Sequence, residues 1–294
     1  MATDQSQGEA GARPSSALSN VLAKFGAGQI KAVAAQLASN TVRVDPGGAT
    51  FSTIGAALAS IADASQQKEY LITIGPGFYN EQVILKPFVY LLGAGTNLTV
   101  ISYPPVSSDN IFNRGTVVGA SNSGIGSLTA NCLGGSWGDW STALLVSGCS
   151  PFYADACSLV CEDQGNAGVN IETIAVNWNS QPDGPSQVYI SYSVALANMD
   201  SNESVGVVLM ANGSTTNVEG LESKFMANGG TQSFGANSNG GATVTLDNCV
   251  AQGATFALNI PDGASTLVAN NCTIEGPVSN GVQVNNNPPP TPGA

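Results

Sequence analysis

The 294-residue chain contains no histidine, which removes the commonest general base and the commonest metal ligand from its chemistry. Charge is scarce too: 10% of residues are Asp, Glu, Lys or Arg, against roughly a quarter in ordinary globular domains. After Arg114 the chain carries thirteen acids and a single cation, Lys224. The whole net charge of −12 therefore sits in the later part of the chain. Such a surface repels nucleic acid and anionic membranes, which need clustered Lys or Arg. It also repels polyuronates, unless calcium bridges the charges; no resident cofactor is otherwise expected. No run of 18 apolar residues is present, so no membrane-spanning helix is expected. A Cys-x-x-Cys pair is missing as well, and with it the spacing of a zinc site.

What fills the space is apolar and small. Hydrophobic residues make up 43% of the chain and recur in short β-branched runs such as Tyr70 to Ile74 and Val205 to Leu209. Residues 1–15 read as a polar, disordered leader rather than a signal peptide. Ser16 to Ala38 reads as an amphipathic helix, with Leu18, Leu22, Phe25, Ile30, Val33 and Leu37 near helical spacing. A second helix is expected from about Ser52 to Ala64. Strands are expected at Val42 to Asp45, Tyr70 to Ile74, Gln82 to Leu85 and Val89 to Leu92, punctuated by Gly75-Pro76-Gly77 and Gly93-Ala94-Gly95.

From about residue 110 an internal repeat emerges. Leu128-Thr129-Ala130-Asn131-Cys132, Leu246-Asp247-Asn248-Cys249 and Val268-Ala269-Asn270-Asn271-Cys272 share one pattern. Extending it gives a column at Cys132, Cys157, Ser193, Ser223, Cys249 and Cys272, with intervals of 25, 36, 30, 26 and 23 residues. A second apolar column stands fourteen residues ahead of three members, at Ala143, Leu209 and Leu258. Repeats of this length imply coils stacked at strand spacing, about 4.8 Å, with small residues at inward corners. The expected fold is therefore all-β: one right-handed parallel β-helix over residues 16–284, with an N-terminal capping helix, a second short helix and a Pro-rich tail at 285–294. Four cysteines read as buried ladder members. Cys149 and Cys161 fall outside the column and are placed to pair across one coil.

The segment Val42 to Ser102 resembles the opening of the pectinesterase family (pectin lyase-like β-helices). The resemblance rests on Pro46-Gly47-Gly48, Phe51 and Thr53 leading into the helix, Gly77-Phe78-Tyr79-Asn80-Glu81, and Gly93-Ala94-Gly95 before Thr99-Val100-Ile101. It continues through Ala143 to Val146, Phe152-Tyr153 and Glu162-Asp163. On this resemblance Asp163 stands at the family's general acid, and Glu162 replaces the glutamine that stabilises the oxyanion. Trp140 corresponds to the family's first glutamine. The nucleophilic aspartate is expected near Val205 to Leu209, where no carboxylate stands, and no arginine follows Arg114 to orient a substrate. A carboxylate cannot donate to an oxyanion, so pectinesterase activity is not expected.

Two further constellations remain. Asp139, Asp155, Glu162 and Asp163 lie in neighbouring coils and are the candidate catalytic carboxylates, as a pair of the inverting-glycosidase kind. Trp137 and Trp140 in a Gly-rich segment, with Tyr153 and Trp178, are the candidate substrate-binding aromatics, because indole and phenol faces stack on sugar rings. The expected partner is a polysaccharide or glycan, bound by an extracellular scaffold; the alternative is a carbohydrate-active enzyme centred on Asp163. No metal site and no oligomeric state is read from the sequence.

Overall fold

The structure, a computed structural model, describes residues 40–48, 50–104, 115–133, 141–162, 170–176, 184–199 and 205–286. These form twenty-five strands and one short helix, numbered along the chain. The strands fall into three parallel sheets, visited in strict rotation from β2 to β24. Sheet I holds β1 (Thr41–Val44), β2 (Tyr70–Ile74), β5 (Val89–Gly93), β8 (Ser123–Gly126), β11 (Phe152–Asp155), β14 (Ser186–Ser191), β17 (Thr216–Leu221), β20 (Thr243–Asp247), β23 (Thr266–Asn270) and β25 (Gln283–Asn285). Sheet II holds β3 (Gly77–Asn80), β6 (Thr99–Tyr103), β9 (Thr129–Leu133), β12 (Ser158–Glu162), β15 (Val194–Met199), β18 (Lys224–Gly229), β21 (Val250–Gln252) and β24 (Thr273–Glu275). Sheet III holds β4 (Val83–Ile84), β7 (Gly115–Val118), β10 (Ser141–Val146), β13 (Asn170–Val176), β16 (Val205–Asn212), β19 (Gln232–Asn239) and β22 (Phe256–Asn259). This is a right-handed parallel β-helix.

The core runs along its axis as stacked columns. In sheet I one inward column reads Ile72, Leu91, Ile125, Ala154, Ile190, Gly220, Leu246 and Ala269. Where Gly220 leaves space, the buried Phe225 ring fills it: a Cβ on Gly220 would meet that ring at 3.3 Å.

At the N-terminal end the helix α1 (Ile54–Ser60) buries Ile54, Ala57 and Leu58 and packs against β1 and β4. Thr53 caps it, its hydroxyl accepting from the Ala56 amide. The Glu81 carboxylate accepts from the amides of Ile54 and Gly55, each at 2.8 Å, which ties the positive helix end to the first coil. This helix is shorter at both ends than the expected 52–64, and it is a cap on the first coil. The leader, the segment Ser16 to Ala38 and residues 287–294 of the expected tail lie outside the described residues.

One corner is built the same way in every coil from residue 127 on. A single residue in the left-handed region turns the chain from sheet I to sheet II: Ser127, Ala156, Tyr192, Glu222, Asn248 and Asn271, with φ between 46° and 53°. The next residue points inward, giving the column Leu128, Cys157, Ser193, Ser223, Cys249 and Cys272. Five of its six members are those the repeat implied. The first is Leu128 instead of Cys132, because Ser158 pairs with Thr129 and Cys161 pairs with Cys132. The first interval is therefore 29 residues rather than 25. The second column is likewise led by Leu144, not Ala143, in register with Ile174, Leu209, Ala236 and Leu258.

The column's side chains do the work of missing backbone bonds. The Cys157 amide donates to the Ser193 hydroxyl and the Ser193 amide to the Ser223 hydroxyl, both at 3.1 Å. The Cys249 amide donates to the Cys272 sulfur at 3.4 Å. Each of these side chains in turn donates to the carbonyl two residues before it. A small hydroxyl or thiol is thus required for satisfaction of buried amides, not only for fit. All six cysteines are thiols, so the expected Cys149–Cys161 bridge is not formed; Cys161 stacks instead on Cys132 inside sheet II. Burial pushes the Cys157 thiol up to about 12, which suits an inert structural role.

Candidate functional site

The candidate residues divide between two sheets. β11 alternates strictly. Phe152 and Ala154 point into the core, and Tyr153 and Asp155 stand on the outer face of sheet I. Asp155 is nonetheless 3% exposed. One carboxylate oxygen accepts from the Ser191 hydroxyl of the next coil at 2.6 Å. Burial pushes its pKa up, and the Ser191 hydrogen bond opposes that shift. Tyr153 is also buried, and its ring stacks on Tyr189 with centroids 5.2 Å apart. The Gln187 side-chain amide donates to the Tyr189 hydroxyl. One face of the Tyr153 ring is therefore taken by a neighbouring coil.

Glu162 ends β12 on the outer face of sheet II, beyond the buried Leu159 and Cys161. It shares its column with Leu133, Asn198 and Asn228. Asn228 donates to Asn198, and Gln252 donates to Asn228, each at 3.1 Å. Beside this amide ladder runs a half-buried aliphatic row, Val160, Leu196 and Met226. Lys224, the sole cation after Arg114, is exposed on the same face.

Asp155 and Glu162 do not converge. They lie either side of the corner at Ala156 and Cys157, and β12 runs extended between them. Its four residue steps alone span about 13 Å at roughly 3.3 Å each. An inverting carboxylate pair stands about 6.5–9.5 Å apart and a retaining pair closer still. Asp155 and Glu162 therefore do not form such a pair with each other.

Asp139, Trp137 and Trp140 fall in 134–140, which follows β9; Asp163 follows Glu162 directly; Trp178 falls in 177–183, after β13. All five lie outside the described residues. Asp200 directly follows Met199 at the end of β15 and also lies outside them. Among the described residues no three of Cys, Asp and Glu gather as metal ligands, and no helix is long and apolar enough to cross a membrane.

No protein-family model and no curated protein matches the sequence. Solved structures are similar in shape. The pectin methylesterase from Aspergillus niger, in penultimately deglycosylated form, superposes with a TM-score of 0.56 at 15% identity, covering 85% of each chain. The deglycosylated form of that enzyme gives 0.55 at 17% identity, covering 84% of this chain and 80% of that one. The carrot pectin methylesterase gives 0.52 at 15% identity, covering 83% and 88%. At such identities the likeness is one of fold, and the resemblance seen at the N-terminal coils extends along the helix: this chain has the pectinesterase-like right-handed parallel β-helix fold.

Proposed function

We propose that this β-helix is a non-catalytic glycan-binding protein working outside the cell, its ligand a neutral or methyl-esterified polysaccharide. The observation that carries the reading is the separation of Asp155 from Glu162. A buried acid occupied by Ser191 and an outward acid beyond a full strand cannot share one glycosidic bond. The lack of histidine, and of any arginine after Arg114, removes the usual substitutes. The outer face of sheet II supports binding: Asn198, Asn228 and Gln252 offer donors and acceptors to hydroxyls, beside an aliphatic row that sugar C–H faces can cover. The acid excess disfavours de-esterified, polyanionic chains. Trp137 and Trp140, in the segment that leaves β9 on this sheet, would supply stacking surfaces. The test is a glycan array: binding to neutral or methylated polymers that is abolished by Trp140→Ala supports the reading. Unchanged binding in that variant contradicts the tryptophan role.

A second reading, an enzyme centred on Asp163, draws on a separate observation. β9, β12 and β15 are register-paired neighbours, and Asp139, Asp163 and Asp200 belong to the segments that follow them. Turnover of a neutral or methylated polysaccharide, lost in both Asp163→Asn and Asp200→Asn, would favour it over simple binding.

A further inference from the structure

Four Asn-Gly dipeptides occur in the chain: Asn212-Gly213, Asn228-Gly229, Asn239-Gly240 and Asn280-Gly281. Such pairs are chemically labile. The glycine amide nitrogen attacks the asparagine side-chain carbonyl carbon and ammonia leaves, closing a five-membered succinimide. Water then opens the ring to aspartate or isoaspartate. The step needs no reactant beyond water, but the glycine amide must be uncommitted and the side chain must be able to fold over it.

The β-helix blocks three of the four. Asn228 is held at both ends of its side chain, donating to Asn198 and accepting from Gln252 at 3.1 Å each. Gly229 is packed so closely that a Cβ there would fall 2.1 Å from the Met199 carbonyl. The Gly213 amide is occupied by the Asn239 carbonyl at 3.1 Å. Gly240 lies against the previous coil, where a Cβ would sit 2.4 Å from the Asn212 side-chain oxygen. The Asn239 carbonyl also accepts from Ala242, so that strand end is fixed on both sides.

Asn280 is different. It is exposed, in a turn closed by the Val282 amide and the Ser279 carbonyl. The Gly281 amide donates to no group among the described residues; the same is true of Gly240, but there the previous coil crowds the pair. Gly281 has φ +91°, and a Cβ there would meet nothing within 4 Å. From this contrast we infer that Asn280 is a built-in site of spontaneous covalent modification, ageing through a succinimide to aspartate and isoaspartate while the other three Asn-Gly pairs are protected by the fold. Each event adds one negative charge, and each isoaspartate one extra backbone carbon, beside β25, the last strand among the described residues.

The test is peptide mapping of the intact protein after prolonged incubation in mildly alkaline buffer, with a protein isoaspartyl methyltransferase as the probe for isoaspartate. Sites that must first open locally react more slowly, so conversion at Asn280 is expected to outpace each of the other three by at least about tenfold. In denaturant the four rates should converge, and Gly281→Ala should slow conversion at Asn280 in the folded protein. Equal conversion at Asn212, Asn228 or Asn239 in the folded chain would overturn the inference. So would an intact Asn280 amide in folded protein whose denatured chains convert, or undiminished conversion in Gly281→Ala.

Discussion

The first coils and the later ones solve the same stacking problem with different chemistry. Between residues 40 and 104 the corners are made by Gly75-Pro76-Gly77 and Gly93-Ala94-Gly95, and the inward residues are large: Ile72, Ile74, Leu91 and Ile101. Both ion pairs of the described residues lie here, Arg43 with Asp45 and Lys68 with Asp63. From residue 115 on, one left-handed residue makes the sheet I–II corner, and at three of these corners the serine or cysteine behind it (Ser193, Ser223 and Cys272) satisfies an amide of the coil before. Outside, polar side chains stack in ladders, as in Asp247, Asn270 and Asn285. A corner so short admits no insertions. Between these left-handed corners the coil length varies from 23 to 36 residues, and the variation is absorbed at the other two corners, where the candidate loops also lie.

The largest expected effect tests the glycine corners of the first coils. A Cβ at Gly93 would sit 2.4 Å from the Ser127 carbonyl and 2.8 Å from the Leu128 Cβ. Backbone must move to admit it, so Gly93→Ala should cost about 3 kcal/mol in chemical denaturation. Next comes the polar column. Ser193→Ala leaves the buried Cys157 amide without its acceptor and should cost about 1–3 kcal/mol. Ser193→Cys, which copies the residue at positions 157, 249 and 272, should recover most of that loss. Equal destabilisation by both would mean the column needs volume rather than hydrogen bonding.

Relief of corner strain should be smaller and of opposite sign. Ala156 has φ 50° without a side-chain polar group to compensate, so Ala156→Gly should stabilise by roughly 1 kcal/mol. The smallest effect concerns Asp155. Its folded pKa is raised by burial, so the folded state holds the proton more tightly than the unfolded chain. Ionisation therefore costs stability. That cost is absent below the unfolded carboxyl pKa and develops as pH rises through the folded value. Asp155→Asn should raise the thermal midpoint slightly at neutral pH, with the gain vanishing in acid; a gain that grows in acid would contradict the assignment.

Much of this architecture was legible in the sequence. Tyr70–Ile74 is a strand to the residue, and five of the six corner positions follow from the Asn-Cys repeats. The miss at Cys132 has a physical cause. The corner residue there is Ser127 and its follower Leu128, so an Asn-Cys pair happens to fall four residues on, where an inward cysteine stacks on Cys161. The left-handed corner residues (Ser, Ala, Tyr, Glu, Asn, Asn) share no side-chain type. Backbone geometry imposed by stacking, not local propensity, holds them there, and no motif announces it. The site was less legible because spacing along a coil hides which sheet a residue faces: Asp155 and Glu162 are seven residues apart yet belong to different faces.

The reading of a binding rather than a hydrolysing β-helix is tested most directly by incubating the protein with a neutral or methyl-esterified polysaccharide, then measuring both its retention on the polymer and the polymer's chain length and ester content. The account predicts retention with the polymer unchanged on both counts. Shortened chains, or released methanol, would contradict it.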